Sequence, residues 1–464
     1  MRWVAIASAV AAITGYVVIL IATTTLGAER FELFNVFWGL FFTLNGIVMG
    51  LMHETTRGVR AMARPDDETW ERERSHGQDD EAVLEAFEAE ELEDASVSAE
   101  ARAADLALAR ASNASGINPV KTSVTISLVI GALVLATSPL WAPALLPAQY
   151  GATATGLLTV AITLTTVQAV FSGVLSGIGR WRAYAILTMI ESFGRVIVAL
   201  IATLLSDPVT GFLVATVTGM ISSPIIMLTP VGRRALSAHT DVSLRSFLSR
   251  GGQSMLAASA AAVLVVGFPV LIKATRPGTD PVLLSNLLLA VTLTRAPILT
   301  PITSFQSAIV VYFVDRFRQG RRVLLIPIAA VLGIAIVGAG LAWLVGPPII
   351  ELMGRGFTVG GHVLAALTFV AGVTGCLYLS GAAVLARERH GVYVAGWWTA
   401  TIVAIVVLLV TPGVLDAVVL ALGLGPLLGV LVHLIFGMGP VTRDNETAPE
   451  PSTEPEREAA EHAR

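Results

Sequence analysis

Long apolar runs recur along the whole chain, separated by short polar stretches. Each run has about the 20 residues that a helix needs to cross a bilayer. They fall at residues 3–25, 32–53, 120–142, 152–176, 183–205, 209–229, 252–273, 283–312, 322–346, 362–386, 391–411 and 413–438. The pattern therefore predicts an all-α integral membrane protein of about twelve transmembrane helices. Pro297 and Pro301 lie inside the long run at 283–312, which we expect to be kinked or broken because each proline removes a backbone hydrogen bond.

Acidic residues are concentrated in two segments outside the apolar runs. Residues 66–111 carry 16 Asp or Glu against 4 Arg, and residues 440–464 carry 7 against 3. Because the formal net charge of the chain is −4, the rest of it carries +12 and is strongly basic. High charge and sparse apolar residues favour weak order in both acidic segments, the first being either a helical hairpin or a mostly solvated chain.

The longest remaining link between apolar runs divides the helices into two groups of six, as in many transporters built from repeats. The predicted organisation is helices 1–2 at 1–65, an acidic insert at 66–118, helices 3–6 at 119–230, a linker at 231–251, helices 7–12 at 252–438 and an acidic tail at 439–464.

Arginine in the short loops predicts the orientation of the chain, because such loops are usually cytoplasmic when they are rich in Lys and Arg. One side carries Arg57, Arg60, Arg64, Arg180, Arg182, Arg233, Arg234, Arg245, Arg250, Arg316, Arg318, Arg321, Arg322, Arg387 and Arg389, whereas the other has Arg30, Lys273, Arg276 and Arg355. We therefore predict a multi-pass protein of the cell membrane with both termini in the cytoplasm.

Two arginines lie deep inside apolar runs, Arg195 and Arg295. By helical rise each is about 18 Å from the start of its run. A guanidinium near the bilayer centre costs at least about 2.5–3.5 kcal/mol, so such a residue usually faces a bundle interior or a wet cavity. Glu191, four residues before Arg195, shares its helix face. These two form either a structural pair or a cavity pair in which Arg195 binds an anion. Arg295 has no acid within a turn, so its partner must come from another helix, a lipid or a substrate.

Other charged residues lie near predicted helix ends. Glu54 and Arg57 form either an interfacial pair or a gate. Lys273 and Arg276 are expected to extend toward lipid headgroups. The remaining candidates are arginines of the predicted cytoplasmic side that could recruit an anionic lipid, namely Arg180, Arg182, Arg316, Arg318, Arg321 and Arg322.

Several catalytic signatures are missing from the sequence. It contains neither a Walker A motif nor an HExxH motif, and it has a single cysteine. We therefore expect no enzymatic activity, no metal, no cofactor and no nucleic-acid partner.

Three stretches resemble known transporters. The segment TTTLGAERFELFNVFWGLFFTLNGIVMGLMHETTR (23–57) is similar to the helix 1–2 region of Wzx-type polysaccharide flippases of the multidrug/oligosaccharidyl-lipid/polysaccharide exporter superfamily. GVLSGIGRWRAYAILTMIESFGRVIVAL (173–200) is similar to their helix 4–5 region, and LTRAPILTPITSFQSAIVVYFV (293–314) to helix 8 of actinobacterial members. The resemblance covers residues 3–438 apart from the acidic insert, which is absent from the usual pattern.

The resemblance implies a pair of bundles, arranged as in MATE transporters, around a central cationic cavity. It implies that a polyprenyl-diphosphate-linked oligosaccharide, an envelope polysaccharide precursor, is flipped to the outer leaflet with its diphosphate at Arg195 and Arg295. Three alternatives stay open: an ion-coupled multidrug exporter of the same fold, a membrane glycosyltransferase or polymerase, and a scaffold whose acidic insert recruits a cytoplasmic protein.

Overall fold

The computed structural model describes residues 2–63, 89–113, 116–315 and 322–438, and helices make up the regular structure of these ranges. Those before residue 240 are α1 (Arg2–Ala63), α2 (Ala89–Ser112), α3 (Pro119–Leu145), α4 (Ala148–Gly177), α5 (Trp181–Ala202), α6 (Pro208–Thr218), α7 (Ser222–Leu228) and α8 (Pro230–Ala235). Those after it are α9 (Leu244–Val265), α10 (Phe268–Thr275), α11 (Pro281–Ser304), α12 (Gln306–Asp315), α13 (Leu325–Leu352), α14 (Gly361–Leu385), α15 (His390–Val410) and α16 (Val414–Val432).

The helices confirm the predicted membrane architecture. Ten helical stretches of the described chain are long and apolar enough to span a bilayer, or eleven if α9 and α10 together form one broken span. Helix α1 has 62 residues, about 93 Å, which is three times the thickness of the hydrocarbon core. Gly27, at φ 66° and ψ 177°, interrupts it in a conformation that favours glycine. Segments α1a (2–26) and α1b (28–63) are each long enough to cross. Counting them as two spans, and α9 with α10 as one, gives twelve spans in the described chain, the predicted number.

Several predicted runs contain breaks that their hydropathy does not show. The run at 252–273 is two helices, α9 and α10, bent by 70°, and α9 begins at Leu244, inside the predicted linker. A 3₁₀ turn at Gly219–Ile221 separates α6 from α7. The run at 283–312 is broken as expected, but at Phe305 rather than at a proline. Glycine and proline residues that the hydropathy average ignores mark the first two breaks.

The two ends of the bundle differ in their packing. We call the end formed by the turns at 178–180, 229–243 and 386–389 the basic end, and the opposite one the far end. Phenylalanines of α1b pack at and below the far end, where Phe31 contacts Phe357 with ring centroids 5.5 Å apart and Phe34 contacts Phe212 at 5.6 Å. All four rings are almost completely buried, so the far end is closed.

Part of the acidic insert is an ordered helix. In α2, one stripe of residues is buried against α1b and the turns of the basic end: Ala104, Ala107, Leu108 and Ala111. The Ala111 carbonyl accepts a hydrogen bond from the His239 amide at 3.0 Å. The prediction of weak order is therefore wrong for this helix, because small residues recurring at helical spacing supply an apolar stripe. Residues 64–88 of the insert and the tail after 438 lie outside the described residues.

Candidate functional site: a central cavity with two arginines

A central cavity of about 660 Å³ continues into a smaller one of about 340 Å³. Tyr16, Trp38 and Thr300 line both, so the two volumes are parts of one space between the two bundles. Its lining extends to Ser8 in the second turn of α1a and to Thr303 at the end of α11, both toward the basic end. The cavity therefore runs from mid-membrane toward the basic end. Volumes of this size suit a small-molecule or head-group ligand.

Arg195 lies on the wall of the larger part of the cavity. It is 14 residues into α5, about 21 Å from the basic end of that helix. Its guanidinium pairs with Glu191, and its Nε donates to the Thr216 carbonyl at 3.3 Å. The Phe42 ring lies 5.0 Å away in a cation–π contact. Only 9% of Arg195 is exposed, so its positive charge is shielded from solvent, and the Glu191 carboxylate balances it.

Glu191 is held in place from its other side. The Gln168 amide donates to its second carboxylate oxygen at 2.8 Å, and the Ser222 hydroxyl donates to the Gln168 carbonyl oxygen at 3.3 Å. These contacts join α4, α5 and α7 in one polar chain. Gly219 makes room for it, because a Cβ there would lie 2.5 Å from the Glu191 Cγ. The 3₁₀ turn therefore has a packing reason that the hydropathy pattern does not reveal.

Arg295 lies on the wall of the smaller part of the cavity and is 6% exposed. Its two terminal nitrogens donate to backbone carbonyls of α9, to Val265 at 3.1 Å and to Leu264 at 3.4 Å. The Phe268 ring lies 5.7 Å from the guanidinium carbon. No carboxylate pairs with Arg295 within the described ranges. Another helix, one of the three partners that the sequence left open, therefore supplies acceptors for Arg295.

The break between α9 and α10 explains why those carbonyls are available. In a continuous helix the Val265 carbonyl would accept from residue 269, but Pro269 has no N–H to donate. The chain bends by 70° at this point, so the last carbonyls of α9 face the arginine. They also form the negative end of the helix dipole, which favours a cation. The sequence signal was the Gly267-Phe268-Pro269 triplet inside an apolar run, which the hydropathy pattern does not separate from a continuous span.

The two arginines therefore differ in their electrostatic state. Glu191 balances Arg195, whereas backbone carbonyls and the Phe268 ring stabilise Arg295 without a carboxylate. Glu191 is the only carboxylate lining the cavity in the described part of the chain. The wall thus carries a net charge of about +1. Two buried atoms beside it, Arg295 Nε and Asn35 Oδ1, have no hydrogen-bond partner among the described residues. Asn35 was missed by the sequence reasoning because a single amide in an apolar run gives no distinctive signal.

Charged residues at the far end pair within the protein. Lys273 of α10 forms an ion pair with Glu32 of α1b. Arg276 donates to the Thr411 carbonyl. The expectation that Lys273 and Arg276 extend to lipid headgroups is therefore wrong, because both side chains have partners in neighbouring helices. Lys273 and Glu32 are both mostly buried, so they help to close the cavity at this end.

The candidate gate residues at the basic end form a three-residue cluster. Arg57 donates to both carboxylate oxygens of Glu54, at 2.9 and 2.7 Å, and to both of Asp241, at 3.0 and 3.1 Å. Asp241 belongs to the segment that links the two bundles. The cluster thus ties α1b to that link and lies outside the cavity lining.

The predicted lipid-recruiting arginines are only partly described. Arg180 pairs with Asp105 of α2, and Arg182 lies 5.2 Å from the Trp3 ring centroid. Arg322 is exposed at the start of the helical stretch that leads into α13. Arg316, Arg318 and Arg321 lie outside the described residues.

Comparison with solved structures shows the fold. An inward-facing multidrug resistance MATE family transporter of the MOP superfamily superposes with a TM-score of 0.63 at 14% identity, over 92% of this chain and 93% of that one. An outward-facing conformation gives 0.59 at 15% identity, with 94% of both chains covered. A MOP superfamily transporter from Pyrococcus furiosus, described as having a binding pocket of reversed polarity, gives 0.58 at 15% identity and the same coverage. The protein has the MATE fold and is a multi-pass membrane protein.

Sequence comparison places the chain in a family. The uncharacterized protein Rv3630 of Mycobacterium tuberculosis is 32% identical over 439 residues, which are 92% of this chain and 90% of that protein. The uncharacterized protein Rv1510 of the same organism is 32% identical over 432 residues, 92% and 89% of the two chains. No family model matches. The chain belongs to the family of these mycobacterial proteins.

Proposed function

We propose that the protein is an alternating-access transporter that moves a polyprenyl-diphosphate-linked oligosaccharide from the cytoplasmic to the outer leaflet. The observation that carries the proposal is the cavity with Arg195 and Arg295 on its two sides and a single, already paired carboxylate. A diphosphate is an anion that matches two guanidinium groups. The charge is at mid-depth, where pairing is stronger than in water.

The two arginines act at different stages. Arg295 has an uncompensated charge and an unpartnered Nε, so it attracts the diphosphate first. Arg195 is held by Glu191 and contributes fully only when the diphosphate takes it from that carboxylate. Binding therefore requires the Gln168–Glu191–Arg195 chain to rearrange. This rearrangement on the wall of one bundle is a local change through which cargo can bias the conformation.

The closed far end defines the other half of the cycle. To release cargo there, the Glu32–Lys273 ion pair and the Phe31–Phe357 contact must separate while the basic end closes. Rocking of two bundles around a fixed central site does this without unfolding either bundle. The polyprenyl tail stays in lipid throughout, since only the polar head needs the cavity.

The second candidate is an ion-coupled multidrug exporter of the same fold. It is favoured by the aromatic lining of the cavity at Tyr16, Trp38 and Phe42, which would suit flat cationic drugs. In that case Glu191 is the functional residue, and its release from Arg195 provides the negative charge. The net positive wall favours the anionic cargo.

The test uses cells depleted of the protein and measures which leaflet holds the lipid-linked glycan, by labelling intact spheroplasts. Wild type should restore labelling at the outer surface, and Arg295→Ala should not, although its level in the membrane is unchanged. Arg250→Ala, an exposed arginine on α9, is the matched control and should behave as wild type. Normal outer-leaflet labelling with Arg295→Ala would contradict the proposal. Loss of lipophilic-dye efflux in Glu191→Gln, with normal glycan sidedness, would favour the exporter.

A further inference from the structure

A second basic cavity, of about 380 Å³, lies at the basic end, apart from the central one. The turn between α4 and α5 supplies Arg180, the first turn of α5 supplies Arg182, and α2 borders the cavity at Ala101. The rest of the wall is mostly apolar and includes Ile186 and Ile226, with Thr229 as a polar member. The cavity thus joins two guanidinium groups to an apolar surface, which suits a molecule with an anionic head and a hydrocarbon tail.

The position of the cavity fits such an amphiphile. Arg182 is exposed and lies over the Trp3 ring at 5.2 Å, near the start of α1a. Ile186, one turn further along α5, is 48% exposed on a helix that spans the membrane. The charged and apolar parts are therefore stacked in the order in which a phospholipid presents its headgroup and acyl chain.

Asp105 of α2 already forms an ion pair with one of the two arginines. Its carboxylate pairs with Arg180, whose side chain is 18% exposed, while Asp105 itself is 51% exposed. Because the carboxylate is half exposed to solvent, the ion pair is partly screened and contributes little to stability. Asp105 is thus an internal carboxylate, on a helix rich in acids, placed where an external phosphate would bind.

We propose that this cavity binds the phosphate headgroup of an anionic membrane phospholipid, and that Asp105 competes with the lipid for Arg180. Lipid binding at Arg180 and Arg182 releases Asp105 and loosens α2 from the basic end. The acidic insert thereby reports the anionic lipid content of the adjacent leaflet. The inference does not depend on the transported cargo, since none of these residues lines the central cavity.

The test uses the full chain in nanodiscs of phosphatidylcholine alone or with phosphatidylglycerol. Native mass spectrometry measures retained phosphatidylglycerol, and hydrogen–deuterium exchange follows residues 101–113. Arg180→Gln should weaken retention about fivefold, because a basic residue near an anionic surface contributes about 1 kcal/mol. Asp105→Asn should strengthen retention by a similar factor and raise exchange in α2 without anionic lipid. Arg250→Gln and Asp416→Asn are the matched controls and should change neither measurement.

Three results would contradict the proposal. Equal retention of phosphatidylglycerol by wild type and the Arg180→Gln variant would show that Arg180 does not bind the lipid. Unchanged retention in Asp105→Asn would show that Asp105 does not compete with it. Inorganic phosphate added to phosphatidylcholine nanodiscs separates the two sources of the anion. If it loosens α2 as strongly as phosphatidylglycerol does, the site is for a soluble anion and the lipid assignment is wrong. Exchange measured on wild type alone, with and without phosphatidylglycerol, tests the release of α2 even if a variant fails to fold.

Discussion

The different surroundings of the two cavity arginines predict unequal losses of stability from the same substitution. Replacing Arg195 with Met leaves the Glu191 carboxylate buried without its cation. Removing one partner of a buried pair costs about 3–5 kcal/mol. Glu191 keeps its hydrogen bond from Gln168 and is 15% exposed, so we expect a loss near the lower limit, about 3 kcal/mol.

Replacing Arg295 with Met should change stability much less. The variant loses two charge-assisted hydrogen bonds, each contributing about 1.5–3 kcal/mol, of which the one to Leu264, at 3.4 Å, is near the long limit. It regains the burial cost of the guanidinium, about 2.5–3.5 kcal/mol. These contributions nearly cancel, so we expect a free energy of unfolding within about 1 kcal/mol of wild type. Under the proposed function, this small effect on stability separates the role of Arg295 in cargo binding from a structural role.

The assay is equilibrium unfolding of the two single variants in mixed detergent micelles. The Arg195→Met/Glu191→Gln double variant removes both charges and should recover most of the loss seen for Arg195→Met. The coupling free energy between the two positions should exceed about 0.5 kcal/mol, because the effects of independent sites are additive to within about that amount. Equal destabilisation by the two arginine replacements, or additive effects in the double variant, would refute this account of the site.

Three further predictions concern close contacts. Gly219→Ala places a Cβ 2.5 Å from the Glu191 Cγ, so it should lower the free energy of unfolding by about 1–3 kcal/mol. It should also impair glycan transport, measured by glycan sidedness, while the amount of protein in the membrane is unchanged. Glu32→Gln removes the far-end ion pair and should increase the labelling of a cysteine placed below it by a membrane-impermeant reagent; unchanged labelling would show that the pair does not hold this end closed. Gly50→Ala brings a Cβ within 2.4 Å of the α9 backbone and should lower the thermal stability, whereas Gly252→Ala, with open space around it, should not.

The hydropathy pattern predicted most of the fold because spanning helices need long apolar runs and leave few alternatives. Arg195, Glu191 and Arg295 were also predicted to face the bundle interior or a cavity, since a charge at mid-depth in lipid is costly. Their partners were only partly predictable. The Glu191–Arg195 pair follows from a spacing of four residues, but the carbonyls that hold Arg295 belong to a helix some 30 residues earlier in the chain.

Other features were beyond the sequence because they depend on contacts between distant elements. The pairing of Lys273 with Glu32 and of Arg180 with Asp105 joins residues whose separation no local rule fixes. The order of α2 depends on a stripe of small residues, whose apolar character is weak beside sixteen acids in the same segment. In each case a residue that composition assigned to solvent or lipid has a specific neighbour.

The broken helix beside Arg295 has a consequence for how the site tolerates substitution. The groups that hold the guanidinium are main-chain carbonyls, which every amino acid carries, so drift at positions 264 and 265 cannot delete them. Only replacement of the arginine would remove the charge, and only a change that closes the break at Pro269 would remove the free carbonyls that hold it. The rest of the lining is then free to vary in size and polarity. The size and polarity of the cavity can therefore change by substitution while the cationic group at Arg295 and its main-chain acceptors are kept.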